Sequence, residues 1–379
     1  MTHYPPNKYR FATFNTALTR QHAGELISDL FTKNHTQARA IAEIIQRTQP
    51  HVLVLQEFDY DLQGIALSLF QKNYLAISQN GATPIQYPYT YLVPSNAGTP
   101  SGMDLDNDGS INSPGDAFGF GFFEGQYASA VLSQYPIKIE NVRTFQHFLW
   151  KDMPNAKLPI YPATGEAWYS DEKLDIMRLS SKNHVDVPIE FPEATVHILS
   201  AHPTPPTFDG SEKRNTLRNH DEIRLFADYV LPETSAYIYD DKGQKGGLQP
   251  DDYFVIMGDL NADPEHGESL DNAITQLLKH PEIHVKIQQE HCIPFSQGGE
   301  ECNKNMASHA STASWGLRVD YVLPSKNLKV WDSRVFWPVK KDPLSYLVEQ
   351  IEIHHHHKKD ISSDHRLVWL DACLSGQSN

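Results

Sequence analysis

Cysteine is scarce in this chain. Cys292, Cys302 and Cys373 are the only three in 379 residues, and an odd count this low excludes a fold held together by a disulfide framework. Cys292 and Cys302 share one loop-like stretch, HCIPFSQGGEEC, where they either close a small disulfide in an oxidising compartment or stay as two free thiols. Long apolar runs are also missing: none approaches the span of a membrane helix, so no transmembrane segment is expected. Basic residues are outnumbered, 32 Lys and Arg against 47 Asp and Glu. The net charge of −15 argues against a general binder of nucleic acid or anionic membranes. A nuclease survives that argument, because metal ions at an acidic site supply positive charge. The start, MTHYPPNKYRFATFN, lacks the basic and then apolar profile of a signal peptide. Either the protein is cytoplasmic, or a leader has been removed and the location is periplasmic or secreted. No internal repeat is visible.

What is present describes an ordinary folded protein with many loops: 40% apolar residues, 21% charged and 25 prolines. The length permits two or three domains, but sheet-rich α/β chains of this size often stay undivided, and one domain over residues 1–379 is expected. Strand and helix signals alternate. Arg10 to Asn15 reads as a short strand; Ala38, Ile41, Ala42 and Ile45 fall at helical spacing before Pro50; Val52 to Gln56 is a continuous apolar run of buried-strand length. Further strands are predicted over 128–133, 195–201, 253–257, 319–323 and 367–370. Helical spacing recurs at Ile223, Phe226, Ala227 and Val230, and more briefly at Ile274, Leu277 and Leu278. This pattern is α/β with one large mixed sheet system. Residues 79–126, 145–193 and 291–316 have no clear period, and loops this long are uncommon unless they do something such as wall an active site.

Polar residues with chemical capacity stand at the ends of the apolar strands: Asn15, Glu57, His202, the run Gly258-Asp259-Leu260-Asn261, and Ser363-Asp364-His365. A phosphate ester resists hydrolysis because its anionic oxygens repel a nucleophile and its leaving oxygen needs charge relief. A divalent cation held by carboxylates supplies that relief. Glu57 and Asn15 are candidate ligands; Asp259 can orient or deprotonate water; Asn261 can donate to a phosphoryl oxygen. His202 and His365 can hydrogen-bond charged oxygens or transfer protons near neutral pH, and Asp320 can orient one of the imidazoles. Each residue alone has a bland alternative, as a sheet end or a turn. Their joint occurrence in similar strand-end settings carries the argument.

The segments Phe14-Asn15, Leu55-Gln56-Glu57, Ser200-Ala201-His202, Met257-Gly258-Asp259-Leu260-Asn261, Arg318-Val319-Asp320-Tyr321 and Ser363-Asp364-His365 resemble the endonuclease/exonuclease/phosphatase superfamily. That group includes pancreatic-type deoxyribonuclease, abasic-site endonucleases, bacterial sphingomyelinases and inositol-polyphosphate 5-phosphatases. The resemblance runs from residue 10 to about 371, in the family's order. It implies a four-layer α-β-β-α sandwich of two packed mixed sheets, with long loops around the active-site edge, and dependence on Mg²⁺ or Mn²⁺. Carried over by motif, Glu57 is the main metal ligand with Asn15 and Asp364 near the metal. Asp259 and Asn261 align water and stabilise the pentacoordinate phosphorus, His202 contacts phosphate, and His365 pairs with Asp320. The abasic-site enzymes have a Tyr where His202 stands, which tilts the reading away from abasic-site repair.

Two basic sets flank the His202 strand: Arg178 to His184 before it and Arg214 to His220 after it. Arg178, Lys182 and His184 are candidates to grip a second phosphate or a non-bridging oxygen, against the alternative of a solvated loop and helix start. Asp104, Asp106, Asp108, Ser110 and Asn112 match the early positions of a calcium loop, with Asp116 one residue late as closing ligand. The alternatives are a structural Ca²⁺ and an acidic turn. The four histidines at 354–357 read as a solvated insertion. Taken together, the sequence predicts a metal-dependent phosphoesterase cleaving P–O bonds by in-line attack of water on a small-molecule or lipid-headgroup phosphate. A deoxyribonuclease-like extracellular nuclease is the enzyme alternative, so nucleic acid is a less favoured partner. A catalytically idle binding module is the alternative of another class.

Overall fold

The computed structural model describes residues 8–284, 293–302, 309–352 and 358–374. Cys292, one half of the candidate disulfide, and the histidines at 354–357 lie outside them. In chain order the strands are β1 (Lys8–Leu18), β2 (Val52–Phe58), β3 (Tyr89–Val93), β4 (Ser129–Ser133), β5 (Arg143–Thr144), β6 (His184–Glu190) and β7 (Thr195–Ala201). They continue as β8 (Tyr253–Asp259), β9 (Asp320–Pro324), β10 (Lys329–Val335), β11 (Gln350–Glu352), β12 (Lys358–Asp360) and β13 (Val368–Cys373). The helices are α1 (Glu25–Phe31), α2 (Thr36–Thr48), α3 (Ile65–Phe70), α4 (Asp171–Leu174), α5 (Arg214–Tyr229), α6 (Thr275–Leu278) and α7 (Gln297–Cys302).

Two mixed sheets form the centre. One has the order β10-β13-β1-β2-β4-β3 and the other β5-β6-β7-β8-β9; β11 and β12 make a separate ribbon. Each large sheet is built around one parallel pair, β1 with β2 and β7 with β8, and the remaining pairs are antiparallel. A parallel pair needs a crossover. The chain between β1 and β2 contains α1 and α2, and that between β7 and β8 contains α5.

Because side chains alternate across a strand, the continuous apolar runs feed two cores at once. Val52 and Val54 of β2, Val196 and Ile198 of β7, and Val255 and Met257 of β8 pack together between the sheets. Leu53 and Leu55 turn the other way, onto Ile41 and Ile45 of α2 and Phe70 of α3. Phe254 and Ile256 pack on Ile223 and Phe226 of α5 and Ile274 and Leu277 nearby. Helix, sheet, sheet and helix thus form the four layers of an α/β sandwich. No helix among the described residues is long and apolar enough to cross a membrane.

Candidate active site

The two parallel pairs end at the same edge of the sandwich. In the first sheet, Asn15 pairs with Gln56 and Leu18 with Phe58, so Thr16 and Ala17 of β1 oppose the single residue Glu57. This is a β-bulge, a device that re-aims side chains at a strand end. Ala17 and Glu57 take left-handed backbone angles here, φ 48° and 52°. Gln56 turns away from the site to accept from Thr13 Oγ1 at 3.0 Å, and Glu57 faces the cavity. Asn15 is buried and its Nδ2 donates to Glu57 Oε1 at 3.1 Å and to Asp259 Oδ2 at 3.0 Å, while its oxygen accepts from the Ala17 backbone N–H at 3.1 Å. In this orientation Asn15 acts on the site through two carboxylates rather than offering them an oxygen.

In the second sheet, β8 delivers Asp259. Gly258 just before it has no room for a side chain: a Cβ there would lie 2.0 Å from the Ala201 carbonyl oxygen of neighbouring β7. The glycine of the Gly-Asp-Leu-Asn run therefore serves close strand approach. Asn261, at φ 52°, donates its backbone N–H to Asp259 Oδ1 at 3.0 Å and its Nδ2 to Pro203 O at 3.0 Å, which ties the chain after β8 to the chain after β7. His202 Nε2 lies 3.4 Å from Asp259 Oδ2. Its Nδ1 is buried without a hydrogen-bond partner among the described residues.

The last segment enters through Ser363, whose Oγ donates to Asn15 O at 2.7 Å and accepts from the His365 N–H at 3.1 Å. His365 Nδ1 is 2.9 Å from Asp320 Oδ2, and its Nε2 is 3.6 Å from Asp259 Oδ2. Burial opposes a charge on this imidazole, but Asp320 and Asp259 outweigh it and push the pKa up to about 10. Burial raises the Asp320 pKa, against the pull of His365. Although burial works against its charge, Asp259 is held well below the usual carboxylate range by His365, His202 and the Asn15 amide. The Trp315 ring meets the His365 ring edge-on at 5.0 Å.

Helix α5 props these loops from beneath. Buried Glu222 accepts from the Ser181 N–H at 2.6 Å and Ser181 Oγ at 2.9 Å with one oxygen, and from the Thr204 N–H at 2.6 Å with the other. One turn earlier, buried Asn219 donates to Thr204 O at 2.8 Å and Leu260 O at 3.2 Å. Neither residue was marked by the sequence: both lie on a helix amid other polar residues, and no local signal separates them from solvated ones.

A cavity of about 1110 Å³ opens over the cluster and is lined by Glu57, His202, Asp259, Asn261, Asp364 and His365. Its walls include Leu105, Ala117 and Phe120, Tyr169, Met177 and Lys182, and Trp315, so parts of all three aperiodic segments reach it. Lys182 lines the cavity; burial lowers its pKa, against the attraction of Glu222, Glu57 and Asp259. Tyr127 also lines it, with a pKa raised by burial and by Glu57, and nothing in the sequence singled it out. Asp320 stands behind His365 and Asn15 behind Glu57, away from the lining.

Arg178 and His184 are not brought to the cavity. The Arg178 guanidinium lies 3.9 Å over the Phe118 ring and donates to Asn96 Oδ1 at 2.6 Å. His184 is the first residue of β6, buried between Ser180 Oγ at 2.7 Å and Glu222 O at 2.9 Å, with Phe226 against its ring. Both side chains hold the wall in place. In the acidic loop, oxygens of Asp104, Asp106 and Asp108 lie within 4.8 Å of one another. Ser110 and Asn112 follow on the exposed turn. Asp116 does not turn toward them: it is buried and spends its two oxygens on the N–H groups of Leu105 at 2.9 Å and Ser113 at 2.8 Å.

The donor set fits a divalent cation. Asp259, Asp320 and His365 present ligand atoms within 4.8 Å of one another, but Asp320 and His365 are already hydrogen-bonded to each other. Glu57 and Asp364 face the same cavity and form no ion pair among the described residues, which leaves their oxygens available to a cation.

No curated protein sequence matches this chain. Among solved structures, an endonuclease/exonuclease/phosphatase from Beutenbergia cavernae aligns over 97% of this chain and 72% of its own at 16% identity, TM-score 0.51. A family protein from Bacteroides thetaiotaomicron aligns over 98% and 99% at 10% identity, TM-score 0.50. SmcL aligns over 98% and 100% at 15% identity, TM-score 0.50. These likenesses are of fold. The family model for the Endonuclease/Exonuclease/phosphatase family matches residues 12–365, which takes in every motif from Asn15 to His365. The chain belongs to the endonuclease/exonuclease/phosphatase family, whose members are hydrolases of phosphoric ester bonds.

Proposed function

We propose that this protein is a metal-dependent phosphoesterase that hydrolyses a phosphodiester or phosphomonoester of small-molecule or lipid-headgroup size. The observation that carries the reading is the meeting of Glu57, His202, Asp259 and His365, from four distant segments, around one cavity. A bound Mg²⁺ or Mn²⁺ ion supplies Lewis-acid charge relief to the phosphoryl oxygens. Glu57 and Asp364 would hold that ion, with Asn15 fixing the Glu57 carboxylate.

The chain's own residues do the rest. Asp259, ionised and clamped by Asn15 and two imidazoles, is the group to orient a water for in-line attack on phosphorus. His202 and Asn261, which both line the cavity, can serve a phosphoryl oxygen. As the water oxygen bonds to phosphorus and the bond to the leaving oxygen breaks, one proton leaves the water and one is needed at the leaving group. His202 and His365 are the groups within reach of such transfers. A second cation, Ca²⁺, is the reading for Asp104, Asp106 and Asp108; a rise in melting temperature on adding Ca²⁺, lost in Asp106→Asn, would support it.

The test is turnover of bis-aryl and mono-aryl chromogenic phosphates with and without Mg²⁺ or Mn²⁺, and plasmid nicking by the same preparation. Metal-dependent turnover without nicking is expected. Nicking at comparable rates would favour the nuclease, and no turnover with any ion would favour the idle binding module.

A further inference from the structure

The cavity is larger than its chemistry requires. Its volume of about 1110 Å³ lies at the top of the range that takes whole drug-sized ligands, whereas a phosphoryl group fills only a corner. Away from Glu57 and Asp259 the lining includes an apolar group, Leu105, Ala117, Met177 and Tyr169, all buried by the fold and all facing the space, alongside polar residues such as Asp106, Asn215 and Asp263. The two arginines in this arm face protein acceptors, although Arg214 Nε makes no hydrogen bond among the described residues. Arg218 donates to the carbonyl oxygens of Leu179, Phe118 and Arg178, and Arg214 sits 3.6 Å from Glu212 and donates to Leu105 O at 3.3 Å. Leu105, Ala117, Met177 and Tyr169 thus offer hydrocarbon a buried apolar surface beside the phosphate-binding end.

Three aromatic side chains from three separate segments also line this cavity while standing open to solvent: Phe208 is 87% exposed, Phe120 59% and Trp315 47%. Phe208 is held there at a cost. Its φ of 58° is a left-handed conformation that a bulky residue rarely takes, and such outliers persist where the surroundings over-determine them. Here they do. Asp209, the next residue, accepts from the backbone N–H groups of Asn215 and Thr216 at 2.7 and 2.9 Å, and Asn215 Nδ2 holds Thr207 O at 2.8 Å. The start of α5 thus fixes both neighbours of Phe208 and presents its ring at the cavity rim.

We propose that the substrate of this site is an amphiphile: a phosphate ester whose apolar chain lies along Leu105, Ala117, Met177 and Tyr169 and meets Phe120, Phe208 and Trp315 at the mouth. This rests on the phosphoesterase reading above and names the kind of ester.

The probes are methyl phosphate and octyl phosphate, each kept below its aggregation concentration, titrated calorimetrically into the Mg²⁺-loaded protein. Octyl phosphate is expected to bind at least about tenfold more tightly, since each buried methylene contributes favourably. Phe208→Ser and Phe120→Ser should shrink that ratio, and Phe31→Ser, an exposed aromatic off the cavity, should leave it intact. Equal affinities, a ratio unmoved by both rim variants, or a preference that appears only in aggregated octyl phosphate would overturn the inference. Binding is read without turnover, so the two readings separate. An octyl preference with no hydrolysis of any ester sinks only the enzyme assignment, and hydrolysis of small esters with no octyl preference sinks only the apolar arm.

Discussion

Asn15 Nδ2 stands 3.0 Å from Asp259 Oδ2 across a sequence separation of 244 residues. Asn15 stands just before the bulge near the end of β1 in one sheet and Asp259 closes β8 in the other, so one carboxamide joins the active-site edges of both. Asn15→Ala would leave two carboxylates short of a donor. The expected cost is about 1–3 kcal/mol of stability, read from the urea midpoint, together with loss of turnover. Unchanged stability would mean that the carboxylates find other donors.

The Glu57 carboxylate should set the metal requirement. A chelator is expected to abolish turnover in the native protein, with Mg²⁺ or Mn²⁺ restoring it. Glu57→Gln keeps the shape but removes a charge from the ligand set. Half-maximal activity should then need about tenfold more metal or greater. An unshifted metal titration in that variant would remove Glu57 from the ligand set.

His365 lies between two buried carboxylates, and both raise its affinity for a proton. Asp320→Asn removes the nearer one. The NMR titration midpoint of the His365 ring should move down from its elevated value toward the ordinary imidazole range, and kcat/KM should fall by about 10²-fold or more. If the ring titrates as before, Asp320 is not what charges it.

Glu222→Gln tests the prop beneath the loops. A glutamine retains one acceptor oxygen where the carboxylate had two and places an NH₂ against an N–H or O–H donor. Destabilisation of about 1–3 kcal/mol is expected. Reduced kcat should accompany it at temperatures where the variant is fully folded, because Ser181 beside Lys182 and Thr204 beyond His202 lose their tether. Full activity in the folded variant would make Glu222 purely structural.

His184 supplies a pH dependence of stability away from the catalytic groups. Burial lowers its pKa from 6.5 to about 4, and its partners fit the neutral ring: Nε2–H donates to Glu222 O and Nδ1 accepts from the Ser180 hydroxyl. The unfolded chain therefore binds a proton that the folded one refuses between those two values. Stability contributed by the neutral ring is present above pH 6.5 and is lost as pH falls toward 4, by up to about 3 kcal/mol. His184→Phe should lower stability at pH 7 yet flatten the fall between pH 6.5 and 4.5 in chemical denaturation. An equally steep fall would place the titrating group elsewhere.

Strands buried on both faces declared themselves. Val52 to Leu55, Thr195 to Ala201 and Tyr253 to Met257 were legible because a strand between two cores is apolar at most positions. β6 was hidden in the aperiodic stretch 145–193, because Pro188 and two acidic residues interrupt its run. The fold tolerates Pro188 where β6 extends beyond the short β5, which pairs only with Val185 and Asp186. β10 was missed as well: it carries charged and exposed positions on its outer flank, so its sequence KVWDSRV has no apolar run.

By itself, the sequence determined the chemical inventory and the places where it is delivered: carboxylates, carboxamides and imidazoles at the ends of strands whose burial is written in their apolar runs. Which of those groups meet was decided by tertiary structure alone. Arg178, Lys182 and His184 lie within seven consecutive residues, yet only Lys182 lines the cavity, because a cation–ring contact holds the first and a buried hydrogen-bonded slot takes the last. The aromatic rim and the props on α5 were equally invisible in one dimension. A side chain's role depends on what lies within a few ångströms of it, and for residues brought together from distant segments that distance exists only after the two sheets have packed.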